Sequence, residues 1–490
     1  MLKFAIMKQI SIFLIHIVFL FNKSFGIPLE GLTLFTPSPQ IGFSETNTYL
    51  INNESEIIHQ WSHPARCSSM PYLMPDSTLY YPCLNSNNYM DVAAAGGRII
   101  KYNWDGEVLW DFTWSGEDYI QHHDIEPLPN GNILLLSNER KSMQEAIDRG
   151  RINIHGEIWP DMIVEISPEG LNGGTVVWEW HFWDHLVQDI DSSKLNYGDI
   201  RENYGKLDIN VAEIQETGPG GQYSGDWMHA NSIHYNQEYD QIIISCRRTN
   251  EFYIIDHSTT IEEAASDTGG NSGKGGNFLY RWGNPQNYGR GDSTNLIIIA
   301  QHSVNWIPEG YPGENNILIF NNNFTPFVSP SNSVSSVIEI TPPINSNFTY
   351  NINNEEPFGP QEFTWFYNGD EDFDFLSIIQ GGAFRLSNGN TLITTFGNPT
   401  IFEVNPEGEI EWSVNLGNSG IARAQKFDSS YFSPILIGDL NQDNLVNVED
   451  IQILIIYITE GTNFNYLGDL NSDELINIFD ILLLIEVILN

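Results

Sequence analysis

Basic residues are scarce in this chain. Its 490 residues include 21 Lys and Arg against 63 Asp and Glu, a formal net charge of −42. A field of that sign repels phosphate backbones and anionic lipid, which excludes nucleic-acid binding and charge-driven attachment to a membrane surface, and suits a salty medium that screens it. Cysteine is almost missing: Cys67, Cys83 and Cys246 cannot all pair, so a disulfide-stapled scaffold is excluded. Cys67 and Cys83 could bridge in an oxidising compartment, whereas Cys246 ends an apolar run and reads as a buried thiol. No adjacent cysteine pair and no regularly spaced tryptophan-docking motif is present, which disfavours a quinone-dependent dehydrogenase. After the first 26 residues no apolar stretch is long enough to cross a bilayer.

Those first residues have their own character. Lys3 and Lys8 precede the apolar stretch Ile10 to Phe21, and Ser24-Phe25-Gly26 follows with small residues where a signal peptidase reads. Residues 1–26 are therefore predicted to be a cleaved secretory signal, and the protein secreted or periplasmic. The alternative, a single membrane anchor, is disfavoured because the stretch is short and interrupted by His16.

Residues 27–430 carry an internal β-repeat. Leu128-Pro129-Asn130-Gly131-Asn132 opens the apolar run Ile133 to Leu136, and Leu386-Ser387-Asn388-Gly389-Asn390 opens Thr391 to Thr395. Asn-Gly before a short apolar run marks a tight turn feeding a strand. Weaker copies start at Met74, Asp240 and Asn316, and later strands end in Pro-x-Gly turns at Pro168 and Pro406. Each unit closes on an aromatic strand, carrying in turn Trp61, Trp110, Trp178, Trp282, Trp365 and Trp412. Six such units predict an all-β fold, a six-bladed β-propeller, with tryptophan filling the space between blades. A β-sandwich or β-helix is the alternative.

Three histidines occupy one recurring point of this repeat, six residues ahead of the same turn: His123, His229 and His302. A radial arrangement would bring them to one axis, beside Arg247 at the end of an inner strand. Taken singly, each histidine could as well bond a backbone carbonyl, and Arg247 could be a structural ion pair. His234 and His185 are weaker candidates, and Tyr204, Lys206 and Gly218 to Gly221 suggest a mobile lid in the insertion before Asp226.

From Pro434 the pattern changes to a duplicated acidic loop followed by an apolar helix. Asp439, Asn441, Asp443, Asn447 and Asp450 in the first copy, and Asp469, Asn471, Asp473, Asn477 and Asp480 in the second, hold positions one, three, five, nine and twelve of an EF-hand-like loop. Residues 434–490 are thus predicted to be a small α-helical domain binding calcium. Gly438 to Asn490 resembles a type I dockerin, which implies calcium-dependent folding and a cohesin-type protein partner. Asn444 and Glu474 depart from the glycine usual at the sixth loop position, and position twelve is Asp, as dockerins also show. An accessory calcium-folded tail is the plainer reading.

A second resemblance rests on His123-Asp124 before the Pro-Asn-Gly-Asn turn, on Asp226-Trp227-Met228-His229-Ala230-Asn231-Ser232, on Ser245-Cys246-Arg247, and on Arg281-Trp282-Gly283-Asn284-Pro285 through Gln301-His302. Over most of residues 47 to 417 the chain looks like the bacterial aryl-sulfate sulfotransferases that need no nucleotide sulfate donor. The likeness implies a six-bladed propeller, an aryl sulfate donor, a phenolic acceptor, no catalytic cofactor, and a transiently sulfated histidine matching His302. His123, His229, Asn231 and Arg247 match the family's other site residues, with His122 adjoining the first. The family's N-terminal β-sandwich is missing, which puts its dimer in doubt, and Ser303 follows His302 where relatives often carry Asp.

The chemistry accounts for the residue types. A sulfuryl group moves through a loose transition state with charge on its peripheral oxygens, as phosphoryl groups do. Arg247 and Asn231 would hold those oxygens, a neutral His302 would attack sulfur, and His229 or His123 would carry the proton. Two other functions remain open to the same residues: a metal-dependent lyase or hydrolase using three histidines, and a non-catalytic propeller binding a glycan or protein.

Overall fold

The computed structural model describes residues 27–38, 46–87, 89–324, 334–353, 356–369, 375–417, 420–428, 430–432, 438, 440–441, 446–460, 468–471 and 475–489. The predicted signal, residues 1–26, lies outside them. Six four-stranded antiparallel sheets form the six blades, so the propeller reading holds and the sandwich and β-helix do not. Among the described residues no helix is long and apolar enough to cross a membrane.

Blade 1 closes the ring. Its innermost strand is the last of the propeller, Ile421–Asp428, paired antiparallel with the first, Gly31–Pro37. The innermost strands of blades 2 to 6 are Tyr72–Leu73, Tyr119–Pro127, Ala230–Asn236, His302–Trp306 and Gly382–Arg385. The second strands are nearly continuous apolar runs, such as Ile133 to Leu136 and Gln241–Cys246, because they are covered on both faces by neighbouring blades.

All six repeat tryptophans sit on outermost strands, and each donates its indole N–H to the next blade. Trp61 Nε1 reaches Asn103 O at 3.1 Å, Trp110 Gly173 O at 2.8 Å, Trp178 Thr259 Oγ1 at 3.1 Å and Trp282 Pro360 O at 3.0 Å. Trp365 reaches Pro406 O at 2.8 Å, and Trp412 completes the circle on Asn53 O of blade 1 at 2.7 Å.

A second set of links lies nearer the axis. In the two Asn-Gly-Asn turns, Gly131 and Gly389 adopt φ of 86° and 91°, conformations that favour glycine. The asparagine after each glycine donates to a carboxylate on the third strand of its own blade, Asn132 to Glu165 and Asn390 to Glu403, and Asn316 does the same to Glu339 in blade 5. Each of these buried carboxylates is then met by a cation from the following blade: His257, Lys426 and Arg385. Buried charge needs such pairing.

Outside the blades, the described residues of the tail include helices Val448–Glu460 and Ile478–Leu489, whose Leu454 and Leu484 are buried together with Leu440. Cys67 and Cys83 face one another across an isolated antiparallel bridge, but all three cysteines are free thiols. Burial pushes the Cys83 thiol up to about 12.

The insertion between blades 3 and 4 is tied down rather than free to act as a lid. Arg281 donates to Tyr204 O and Lys206 O, and the Lys206 ammonium pairs with Asp267. Backbone N–H groups of Gly220 and Gln222 bond Asp91.

Replacing Trp61, which is 1% exposed, by Ala should destabilise the propeller by about 3–5 kcal/mol, combining cavity formation with the lost N–H bond. Urea unfolding of the variant would show this as an earlier midpoint; a midpoint within error of wild type would deny the tryptophan ring its structural role.

Candidate active site

The three repeat histidines meet at the start of neighbouring inner strands. His123 and His229 stack edge to face with ring centroids 4.8 Å apart. The charges of His229 and His302 both act on His123, and those of His229, Arg247 and Arg423 on His302. At these positions the inner strands of blades 3, 4 and 5 bulge, each pairing register slipping beside the histidine. His123, His229 and Ser303 take positive φ of 50°, 57° and 50°. Such backbone is costly for residues with a Cβ and concentrates at functional sites; here it turns the imidazoles inward.

What stands behind each ring differs. His302 Nδ1 lies 2.7 Å from Asn322 Oδ1 and 3.1 Å from Ala300 O, both acceptors. The Asn322 amide cannot be turned the other way, because its Nδ2 donates to Ser377 O and Gln380 O at 2.6 and 2.7 Å. The His302 proton therefore sits on Nδ1, and Nε2 keeps its lone pair; the Gln380 N–H approaches that lone pair at 3.3 Å. Burial, with the Arg247 and Arg423 charges adding to it against the Asn322 bond, holds His302 at about 3. It is neutral near pH 7.

His229 Nδ1 instead faces a carboxylate, Asp226 Oδ2 at 2.6 Å. Burial would raise the Asp226 carboxyl, but His229 and Arg248 hold it below its usual range. His123 has a third arrangement: its Nδ1 lies 2.9 Å from Nδ1 of His122, whose Nε2 is 2.9 Å from Asp161 Oδ1 though poorly aligned for a hydrogen bond. Burial and the surrounding imidazoles push His123 well below its usual value.

Arg247 is half-buried, its backbone N–H bonding His229 O at 3.1 Å. Burial and Arg248 lower its guanidinium somewhat. Among the described residues its side chain has no ion-pair partner within 4 Å, so its charge remains available to a ligand. Asn231 serves the frame instead, Nδ2 donating to Gln301 O at 2.7 Å, next to His302 in sequence, while its buried Oδ1 has no partner. His185 is structural: stacked on Trp180, it bonds Ala264 O and Asn277 Oδ1. His234 lies further along its strand, away from the cluster.

Beneath the histidines sits a buried pair that sequence reasoning missed. Arg423, on the ring-closing strand, donates to Asp124 Oδ2 at 2.9 Å and to Ser69 Oγ at 2.6 Å. Gly382 makes room for it, since a Cβ there would lie 2.7 Å from Arg423 Cγ. Asn322 and Asp161 were also missed, and His122 and Asp226 were named only as neighbours of His123 and His229 without a role, though the Asn321-Asn322-Asn323 interruption of an apolar strand and the i, i+3 spacing of Asp226 and His229 were visible.

The rings do not present themselves as a metal centre. Each Nδ1 is engaged by a protein partner, and among the described residues no group of three or more His, Cys, Asp or Glu side chains has an arrangement that could hold a metal ion.

The family model for arylsulfotransferases (ASST) matches residues 67–431. The chain belongs to the arylsulfotransferase family. That membership suggests aryl sulfotransferase activity and small-molecule aryl substrates. No curated protein matches the sequence. Among solved structures, a protein of unknown function from Bacteroides caccae is 12% identical with a TM-score of 0.42, covering 81% of this chain and 99% of its own. A putative 6-phosphogluconolactonase from Bacteroides fragilis is 10% identical at TM-score 0.38, over 81% and 98%. Virginiamycin B lyase from Staphylococcus aureus is 11% identical at TM-score 0.32, over 80% and 89%. Likenesses this loose say nothing about the site of this arylsulfotransferase relative.

The depressed histidines set a pH dependence. His302 at about 3 and His234 at about 4 stay neutral in the fold, yet take a proton near 6.5 when unfolded. The unfolded chain therefore binds more protons below that value, and stability should fall as pH drops from about 6.5 towards 3. His257 has the opposite sign: burial would lower it, but Asp240 and Glu165, 2.7 and 2.9 Å from its nitrogens, raise it to about 9. Its contribution is present below about 6.5 and lost as pH rises through about 9. Thermal unfolding across this range should fall on both sides, and His257→Gln should flatten the alkaline side alone.

Proposed function

We propose that this protein transfers a sulfuryl group from an aryl sulfate to a phenol through a sulfohistidine on His302. The observation that carries the reading is the contrast behind the rings: His302 is backed by a neutral amide that fixes the Nδ1–H tautomer, His229 by a carboxylate. A ring without a carboxylate keeps its lone pair and suits nucleophilic attack; one with a carboxylate can hold the charge that comes with a proton.

In the first half-reaction His302 Nε2 forms a bond to sulfur while the S–O bond to the aryl group breaks. The leaving oxygen keeps that electron pair and takes a proton from His229, with Asp226 stabilising the imidazolium beforehand. In the second, a phenol returns a proton to His229 as its oxygen attacks sulfur, and the N–S bond breaks. Charge on the three peripheral oxygens is met by Arg247. His123, which burial and the surrounding imidazoles push well below its usual value and which has no carboxylate bonded to its ring, is not assigned the proton. The kinetics are ping-pong.

A non-catalytic propeller is the second reading, favoured by nothing in the site, and a zinc-dependent reaction the third. All are separated by one assay with para-nitrophenyl sulfate and a phenol, with and without chelator. Sulfuryl transfer should persist in chelator and fall by about 10³-fold or more in His302→Ala. Asn322→Asp should retain transfer but move its acid limb up, since a carboxylate behind His302 raises its affinity for a proton. Nitrophenol release that continues in His302→Ala would sink the sulfohistidine.

For the tail we propose calcium binding, a cohesin-type partner, and a secreted or periplasmic location. Support comes from the matched geometry of its two halves. Asp450 accepts backbone N–H groups of Leu440 at 2.7 Å and Asn447 at 2.8 Å, and Asp480 those of Leu470 at 3.0 Å and Asn477 at 2.8 Å. Asn441, Asn447, Asp450, Asp469, Asn471, Asn477 and Asp480 supply oxygen ligands suited to a hard cation. Asp439, Asp443 and Asp473 lie outside the described residues. Saturating calcium, at about 100 times Kd, should stabilise the tail by about 2.7 kcal/mol. Titration calorimetry of the full chain should lose the calcium heat in the Asp450→Ala/Asp480→Ala variant; no heat in the parent would end the calcium assignment.

A further inference from the structure

The imidazole cluster lies where the inner strands begin. Where they end, on the opposite side of the Asp124–Arg423 layer, the propeller axis holds a separate cavity of about 280 Å³ to which all six blades contribute. Apolar atoms make up the larger part of its walls, and the rings of Tyr72, Tyr311, Phe384, Phe427 and Tyr431 are among them.

Its polar groups have a consistent character. Every cation that lines it is already neutralised: Arg423 by Asp124, Arg385 by Glu339, Lys426 by Glu403. The carboxyl of Glu126 is pushed well above its usual range, by burial first and by Asp124 second, which favours its uncharged form. Burial lowers His234 to about 4, leaving it neutral. Two buried atoms of the lining have no hydrogen-bond partner, Ser303 Oγ in a side chain 1% exposed and His234 Nδ1. Orphaned polar atoms of this kind ask for a partner.

From the neutral lining, the aromatic walls and the two unpartnered atoms, we propose that this distal cavity binds an uncharged aromatic ring bearing a hydroxyl, and rejects the corresponding sulfate ester. The ring lies among the aromatic side chains, and its hydroxyl takes up the missing hydrogen bond of His234 or Ser303 as those closed-off side chains turn towards it. A sulfate ester finds no unpaired cation there, and moving its charge out of water has no compensation. The site is distinct from the imidazole cluster, and its argument does not rest on sulfuryl transfer. Occupancy would still be felt there, because Ser303 follows His302 and Arg423 acts on both His123 and His302.

Photolabelling of the full chain with para-azidophenol, followed by peptide mapping, tests this without any sulfate ester present. Label is expected on peptides holding Tyr72, Tyr311 or Tyr431, displaced by phenol and spared by toluene or phenyl sulfate. His234→Phe, which fills the space and removes the acceptor, should cut this labelling about tenfold. Glu126→Gln, which keeps an uncharged donor of the same shape, should preserve it. Labelling confined to peptides around His123, His229 and His302, or displacement by phenyl sulfate as readily as by phenol, would overturn the proposal. Such a result leaves sulfuryl transfer untouched, and loss of transfer in His302→Ala leaves the labelling untouched.

Discussion

Closure of the ring is the constraint on which everything else hangs. No blade positions a site by itself: His123, His229 and His302 belong to three sheets, and the arginine beneath them to a fourth. Their mutual distances are set by how the sheets lean on one another. The six indole N–H bonds from outer strand to next blade, and the carboxylates of Glu165, Glu339 and Glu403 that each hold a turn asparagine and a neighbour's cation, fix that lean at two radii. Individually such bonds contribute about 1 kcal/mol. Arranged in a circle, they remove the freedom of any one blade to slide without its neighbours.

Within the ring, three residues of one type acquire three different characters from a single atom behind each. An amide oxygen fixes the His302 proton on Nδ1 and leaves Nε2 its lone pair, while burial keeps the ring neutral. A carboxylate stands behind His229, and His123 has another imidazole at its back. The division of labour is thus written in the second strands and connecting segments rather than in the histidines. Asn322, one strand over, orients the His302 imidazole.

Much of the architecture was legible in the sequence. The Asn-Gly turns and the six spaced tryptophans announced the blades because both are local signals, a backbone conformation and a bulky filler. The histidines were legible because the repeat gave them equivalent addresses. Asn322 and Arg423 were not, since their meaning comes from neighbours distant along the chain: an asparagine trio in a strand looks like poor packing, and one arginine in Ile421–Ala424 looks like a surface charge. The lid reading of Tyr204 and Lys206 failed for the same reason, as the Arg281 that pins their carbonyls is remote in sequence. His185, a weaker candidate in the sequence, proves to be packed once Trp180 and Ala264 are placed around it.

The buried Arg423 has a consequence for biogenesis. It is carried by the final strand of the propeller, the one that docks against the first. Until that strand docks, Asp124 lacks the guanidinium that pairs with it beneath the imidazoles. The layer under the histidines is therefore finished by the segment of the propeller that is made last.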